Sequence, residues 1–81
     1  MTAKEFNQKY RGYIEEGFTG LEFDIPEVTK YLDSEFEIII KEKPDFEFAQ
    51  IKLKFGRCRF YSNLDMNVGF EIEHTVNELI S

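Results

Sequence analysis

A single cysteine, Cys58, and a single histidine, His74, stand in this chain of 81 residues. One cysteine excludes an intramolecular disulfide and any multi-cysteine zinc site. A small domain without such staples suits a reducing compartment. No apolar run approaches the roughly 20 residues that a membrane span needs. The first six residues, Met1–Phe6, hold no apolar run of signal-peptide type. Internal repeats and low-complexity segments are lacking too. These absences set the expectation of a cytoplasmic protein with no membrane partner.

What is present is enough for one core. Apolar residues make up 42% of the chain and aromatics 16%, with nine phenylalanines, the composition of a folded protein. The expectation is a single domain over residues 1–81. A chain this short buries only about 60–65% of its unfolded surface, so its stability falls in the range of roughly 4–12 kcal/mol.

The net charge is −6, and it is unevenly spread. Residues 15–37 hold eight acids and one base, residues 50–64 hold four bases and no acid, and residues 65–81 hold four acids and no base. The overall sign argues against general nucleic-acid binding. The local reversal keeps that class open for residues 50–64. An acidic protein could mimic nucleic acid, but the basic stretch contradicts uniform mimicry.

Helical spacing governs the two ends of the chain. Thr2 with Glu5 three residues later forms a capping box. Phe6, Tyr10, Tyr13 and Ile14 then make one apolar stripe, which predicts a helix over Ala3–Glu16 ended by Gly17. Leu21 and Phe23 alternate with Glu22 and Asp24, a run too short to assign as a strand. Pro26 suits the first position of a second helix, and Glu27 favours the positive end of its dipole. Val28, Tyr31, Leu32, Phe36, Ile39 and Ile40 carry its apolar stripe until Pro44 stops it. A third helix is predicted from Met66 or Asn67 to Ile80, with Val68, Ile72, Thr75, Val76 and Leu79 buried. Gly69 weakens it by about 1 kcal/mol relative to Ala.

Between the helices lies the most informative stretch, Gln50–Tyr61, which alternates apolar and basic residues on either side of Gly56. It predicts a hairpin of strands Asp45–Phe55 and Cys58–Asn63. Placing Gly56-Arg57 in the turn sets Phe55 opposite Cys58, Leu53 opposite Phe60, Lys54 opposite Arg59 and Lys52 opposite Tyr61. One face is then Ile51, Leu53, Phe55, Cys58 and Phe60. The other is Lys52, Lys54, Arg59 and Tyr61, where directly opposed cations call for a counter-charge. Phe46 and Phe48 share parity with the lysines. Either a β-bulge near Ala49-Gln50 returns them to the core, or both lie on the basic face. The order is α-α-β-β-α, an α+β fold of three helices packed around a β-hairpin. The sheet edges are unpaired unless Leu21–Asp24 or a second subunit supplies a strand.

The run Ile51-Lys52-Leu53-Lys54-Phe55-Gly56-Arg57-Cys58-Arg59-Phe60-Tyr61 resembles a motif of small uncharacterised bacterial and phage proteins, roughly Ile-Lys-x-Lys-Phe-Gly-x-Leu-Arg-Phe-Tyr. Lys52, Lys54, Phe55, Gly56, Arg59, Phe60 and Tyr61 match it, and Cys58 stands at the leucine. With the helix after it, the motif covers about a third of the chain. The resemblance implies the hairpin and a buried Cys58. That family has no assigned activity, so no function follows. Cysteine pairs that several relatives carry after the last helix have no counterpart in residues 1–81.

Catalytic constellations find little support. Cys58 between Arg57 and Arg59 could be an activated thiol, but its parity with Phe60 points to the core. Glu71, His74 and Glu78 share a helical face, a set poorer in N and S donors than dedicated metal sites. No carboxylate pair is spaced as acid and base. Gly17-x-x-Gly20 lacks the Lys-Ser/Thr of a phosphate loop. The expectation is a non-enzymatic interaction module without cofactor or metal. Its candidate surface is Lys52, Lys54, Arg57, Arg59 and Tyr61. The partner is a protein, a second copy of the chain being one candidate, and single-stranded nucleic acid is the alternative.

Overall fold

A computed structural model describes all residues, Met1–Ser81. The chain forms an α+β fold of three helices and a three-stranded sheet: α1 (Ala3–Lys9), β1 (Gly20–Leu21), α2 (Pro26–Glu42), β2 (Phe48–Lys54), β3 (Arg57–Ser62) and α3 (Met66–Ile80). The order α-α-β-β-α holds, with one short strand added between the first two helices. No helix is long and apolar enough to cross a membrane.

The capping box at Thr2 and Glu5 is formed, each side chain bonding the other's backbone amide. The helix ends seven residues earlier than its apolar stripe predicts. After Lys9 the chain tightens into a 3-10 turn over Arg11–Tyr13 and leaves for the sheet. Ile14 bridges Phe48 in parallel, and the Glu15 amide donates to the Phe48 carbonyl at 2.9 Å. A pairing partner 34 residues away therefore overrides the local helical spacing. Tyr13 and Ile14 still pack against the core, reached from an extended segment instead of a helix.

β1 supplies the third strand. Gly20 and Leu21 run parallel to Gln50 and Ile51, so β2 is central in the order β1-β2-β3. Gly20 has φ +76, and a Cβ there would lie 2.5 Å from Asn7 Oδ1 and 2.9 Å from Ile14. Only glycine fits that approach.

β2 begins at Phe48, not Asp45, and the pairing shifts register between Phe48 and Gln50. The bulge at Ala49 turns Phe46 and Phe48 into the core, where both are fully buried. The basic face therefore carries neither. Phe36 of α2 sits at the centre of an aromatic cluster, with ring centroids 5.2 Å from Phe6, 5.3 Å from Tyr10, 5.0 Å from Phe46, 4.9 Å from Phe48 and 6.0 Å from Phe60. Such tilted and edge-on pairs are favoured beyond their area burial. The three helices share one core with the Ile51, Cys58 and Phe60 face of the sheet. The opposite sheet face has no helix on it.

α3 buries less than its sequence predicts. Ile72 and Val76 face the core. Val68 and Leu79 are exposed instead, because a helix resting on the flank of one strand hides only a narrow stripe. Met66 and Phe70, four residues apart on its open side, are exposed as well.

Candidate interaction face

Strand alternation puts Gln50, Lys52, Lys54, Arg57, Arg59 and Tyr61 on the uncovered face. The register differs from the sequence expectation by one step of the turn. Lys52 lies opposite Arg59, Lys54 opposite Arg57, Gln50 opposite Tyr61, Ile51 opposite Phe60 and Leu53 opposite Cys58. The turn is Phe55-Gly56, with φ +55 and +74, both central residues left-handed as a type I′ hairpin turn requires. Phe55 therefore leaves the inner face that its hydrophobicity predicts and stands 93% exposed at the tip. Gly56 in the second turn position was the available signal, since X-Gly is the usual I′ pattern.

The five predicted site residues are thus brought together on one surface. Two pairs of cations face each other directly, an arrangement that costs free energy without a counter-charge. Acids of the helices do not supply that counter-charge within the chain. The ion pairs within 4.0 Å are Lys9 with Asp33 and Glu37, Lys43 with Asp45, and His74 with Glu78. None involves Lys52, Lys54, Arg57 or Arg59. Lys52 instead sits with its Nζ 5.9 Å from the Tyr61 ring centroid, a cation–π distance. The acid bordering the face is Glu22, held by the Thr19 hydroxyl and the Gln50 amide. These hydrogen bonds, from Thr19 first, lower its pKa, with Lys52 adding to the effect.

The sheet edges are closed by side chains of the helices. At β3 the Cys58 amide donates to Asn77 Oδ1 at 2.7 Å, and the Phe60 amide donates to Glu73 Oε2 at 2.8 Å. At β1 the Leu21 amide donates to Asn7 Oδ1, and Asn7 Nδ2 donates back to the Leu21 carbonyl, both at 2.9 Å. Asn7 thereby completes the hydrogen bonding of Leu21 as a neighbouring strand would. A partner strand is not needed at these positions, which removes edge pairing as a reason for self-association. The open surfaces are the sheet face and its tip.

Cys58 is fully buried. Burial first, then the Glu73 carboxylate, pushes its thiol up to about 12 against a smaller opposing effect of Arg59. Desolvation outweighs the Arg59 guanidinium, so the activated-thiol reading fails on physical grounds. His74 Nε2 lies 2.9 Å from Glu78 Oε1 on an exposed stretch of α3, and no three His, Cys, Asp or Glu side chains converge.

Beside the basic face runs a groove of about 180 Å³ between the end of β3 and the start of α3, lined by Tyr61, Leu64, Met66, Gly69 and Phe70 among others. In the sequence its only signal is Met66 and Phe70 at i and i+4, opposite the Ile72 and Val76 stripe, which mark a second apolar side of α3. Tyr61 belongs to both surfaces. The chain matches no protein-family model, no curated protein and no solved structure, so the functional argument rests on these surfaces.

Proposed function

We propose that this protein is a non-enzymatic interaction module whose open hairpin face docks an acidic protein surface. The observation that carries this reading is the set of four cations, Lys52, Lys54, Arg57 and Arg59, gathered on an uncovered sheet face with no ion pair to this chain. A carboxylate-bearing partner relieves the repulsion between opposed cations and pairs them in one step. Acids are plentiful on the helices, so a second copy of the chain is one source of such a surface.

The same face favours single-stranded nucleic acid as a second reading on one observation, the exposed Tyr61 ring beside Lys52. A base can stack on such a ring while the cations track phosphates. The net charge of −6 opposes it.

Two probes separate the readings: a labelled poly-glutamate peptide and a labelled single-stranded RNA, followed by anisotropy at low and near-physiological salt. Light scattering of the protein alone reports self-association. The protein-docking reading expects self-association or peptide binding in the wild type and its loss in Lys54→Glu with Arg59→Glu. RNA binding that exceeds peptide binding and weakens steeply with salt moves the assignment to nucleic acid. Identical behaviour of wild type and double variant in every assay rejects the face altogether.

A further inference from the structure

Phe55 bears two costs that its own chain offsets only through the Lys54 ammonium, 6.0 Å from its ring centroid. A phenylalanine at φ +55 occupies a backbone region that favours Gly, Asn or Asp. Its side chain is 93% exposed, so it buries almost no apolar surface in return. Its flanks, Lys54 and Arg57, are exposed cations without ion pairs. The tip is an aromatic knob with positive charge on both sides.

The groove at the other end of the hairpin has the complementary character. Its apolar wall includes Met66, 70% exposed, and Phe70, 57% exposed. Its volume of about 180 Å³ holds one phenyl ring, since a cavity of about 150 Å³ accepts benzene. Asp65 and Glu71 flank these residues in sequence, both exposed and neither in an ion pair. Asp65 occupies the N-cap position of α3, yet its carboxylate caps no amide. Gly69 leaves the groove open, with nothing within 4 Å of where its Cβ would stand.

We infer that the occupant of this groove is Phe55 of a second copy of the chain, the two copies exchanging knobs across a twofold axis. This rests on the protein-docking reading and names its partner. α3 runs antiparallel to β3, as the Cys58–Asn77 and Phe60–Glu73 bonds fix. Knob and groove therefore lie at opposite ends of one strand, roughly 13 Å apart from Arg57 to Tyr61. Two hairpins laid side by side in opposite directions bring each tip to the other's groove, a closed and self-complementary contact. Lys54 and Arg57 of one copy then meet Asp65 and Glu71 of the other. The charges alternate correctly even though the copies carry the same net sign.

The test uses two single variants of the full chain, neither of which threatens the fold. Phe55→Asn gives the turn its preferred Asn-Gly pair, so its melting temperature is expected at or above that of the wild type. Gly69→Leu fills the groove from a helical position with room for a side chain, and raises helix propensity. Sedimentation equilibrium is expected to show the wild type at twice the 9.6 kDa chain mass. Each variant alone is expected to be monomeric, its dimer weakened roughly 100-fold or more by the loss of two buried rings. An equimolar mixture restores part of the association, because the Gly69→Leu knob still finds the Phe55→Asn groove. A monomeric wild type overturns the inference, as does dimerisation of Phe55→Asn or Gly69→Leu with undiminished affinity. If Lys54→Glu with Arg59→Glu still abolishes peptide binding in those cases, the docking face stands and only the knob-and-groove partner is rejected.

Discussion

Two residues separate Phe55 from Cys58, and their environments are opposite. One is the most exposed large apolar side chain of the molecule, and the other is sealed beneath α3. Sealing has a consequence for pH dependence. The folded state raises the thiol from its ordinary 9.0 to about 12. The folded protein therefore holds the proton more tightly than the unfolded chain does. Stability is undiminished below pH 9 and declines as pH rises from about 9 towards 12, by up to about 1.4 kcal/mol per unit. Urea titrations between pH 8 and about 10 are expected to show this decline in the wild type and a flatter profile in Cys58→Ala. Above pH 10 the buried Tyr10 hydroxyl, whose pKa burial and then Asp33 raise, adds a slope of the same sign in both proteins. In parallel, Cys58 is expected to resist thiol reagents in buffer and to react as denaturant is added. Fast native-state labelling would contradict the burial of Cys58 described above.

At the scale of elements, the sheet is a small ladder whose margins are finished by amide and carboxylate side chains. Asn77 accepts from Cys58 and Glu73 from Phe60. Removing one acceptor leaves a part-buried donor unsatisfied, at a cost of about 1–3 kcal/mol. In hydrogen exchange, Asn77→Ala is expected to release the Cys58 amide while Phe60, still bonded to Glu73, stays protected. Equal acceleration at both amides would show a global loss of stability instead of an edge effect. None of this finishing was legible in the sequence, where Asn7, Glu73 and Asn77 resemble ordinary solvated positions. The hairpin, α2 and the basic face were legible, because alternation and helical spacing are local. Helical spacing alone makes α1 too long, because Ile14 and Glu15 answer to Phe48, a distant partner. Hydrophobicity alone places Phe55 in the core, and the turn position of Gly56 overrides it. The ambiguity of Phe46 and Phe48 was visible as a parity fault, and the bulge at Ala49 resolves it.

Across the whole molecule, charge is sorted by layer. The four bases of residues 50–64 occupy the open sheet face, while the acids of residues 15–37 and 65–81 lie mainly on the helices and at the rim of β1. A molecule of 31 × 27 × 23 Å with its charges so divided presents unlike faces to any approaching partner. A second copy, if it is the partner proposed above, would be guided by that division even though both copies are acidic overall. The contact proposed for Phe55 would use it locally, at Lys54 and Arg57 against Asp65 and Glu71.

The parallel pairing of β1 with β2 also governs the order in which the chain can acquire structure during synthesis. Residues 14–21 emerge early, yet their partners Phe48, Gln50 and Ile51 follow some thirty residues later. Until those arrive, α1 has no sheet to rest on, and α2 is a 17-residue helix of marginal stability by itself. The nascent N-terminal half is therefore expected to stay without its full core until the hairpin leaves the ribosome. A fragment ending at Glu47 is expected to show weak helical circular dichroism and no cooperative melting. A sigmoidal melt from that fragment would mean that the first two helices pair without the sheet.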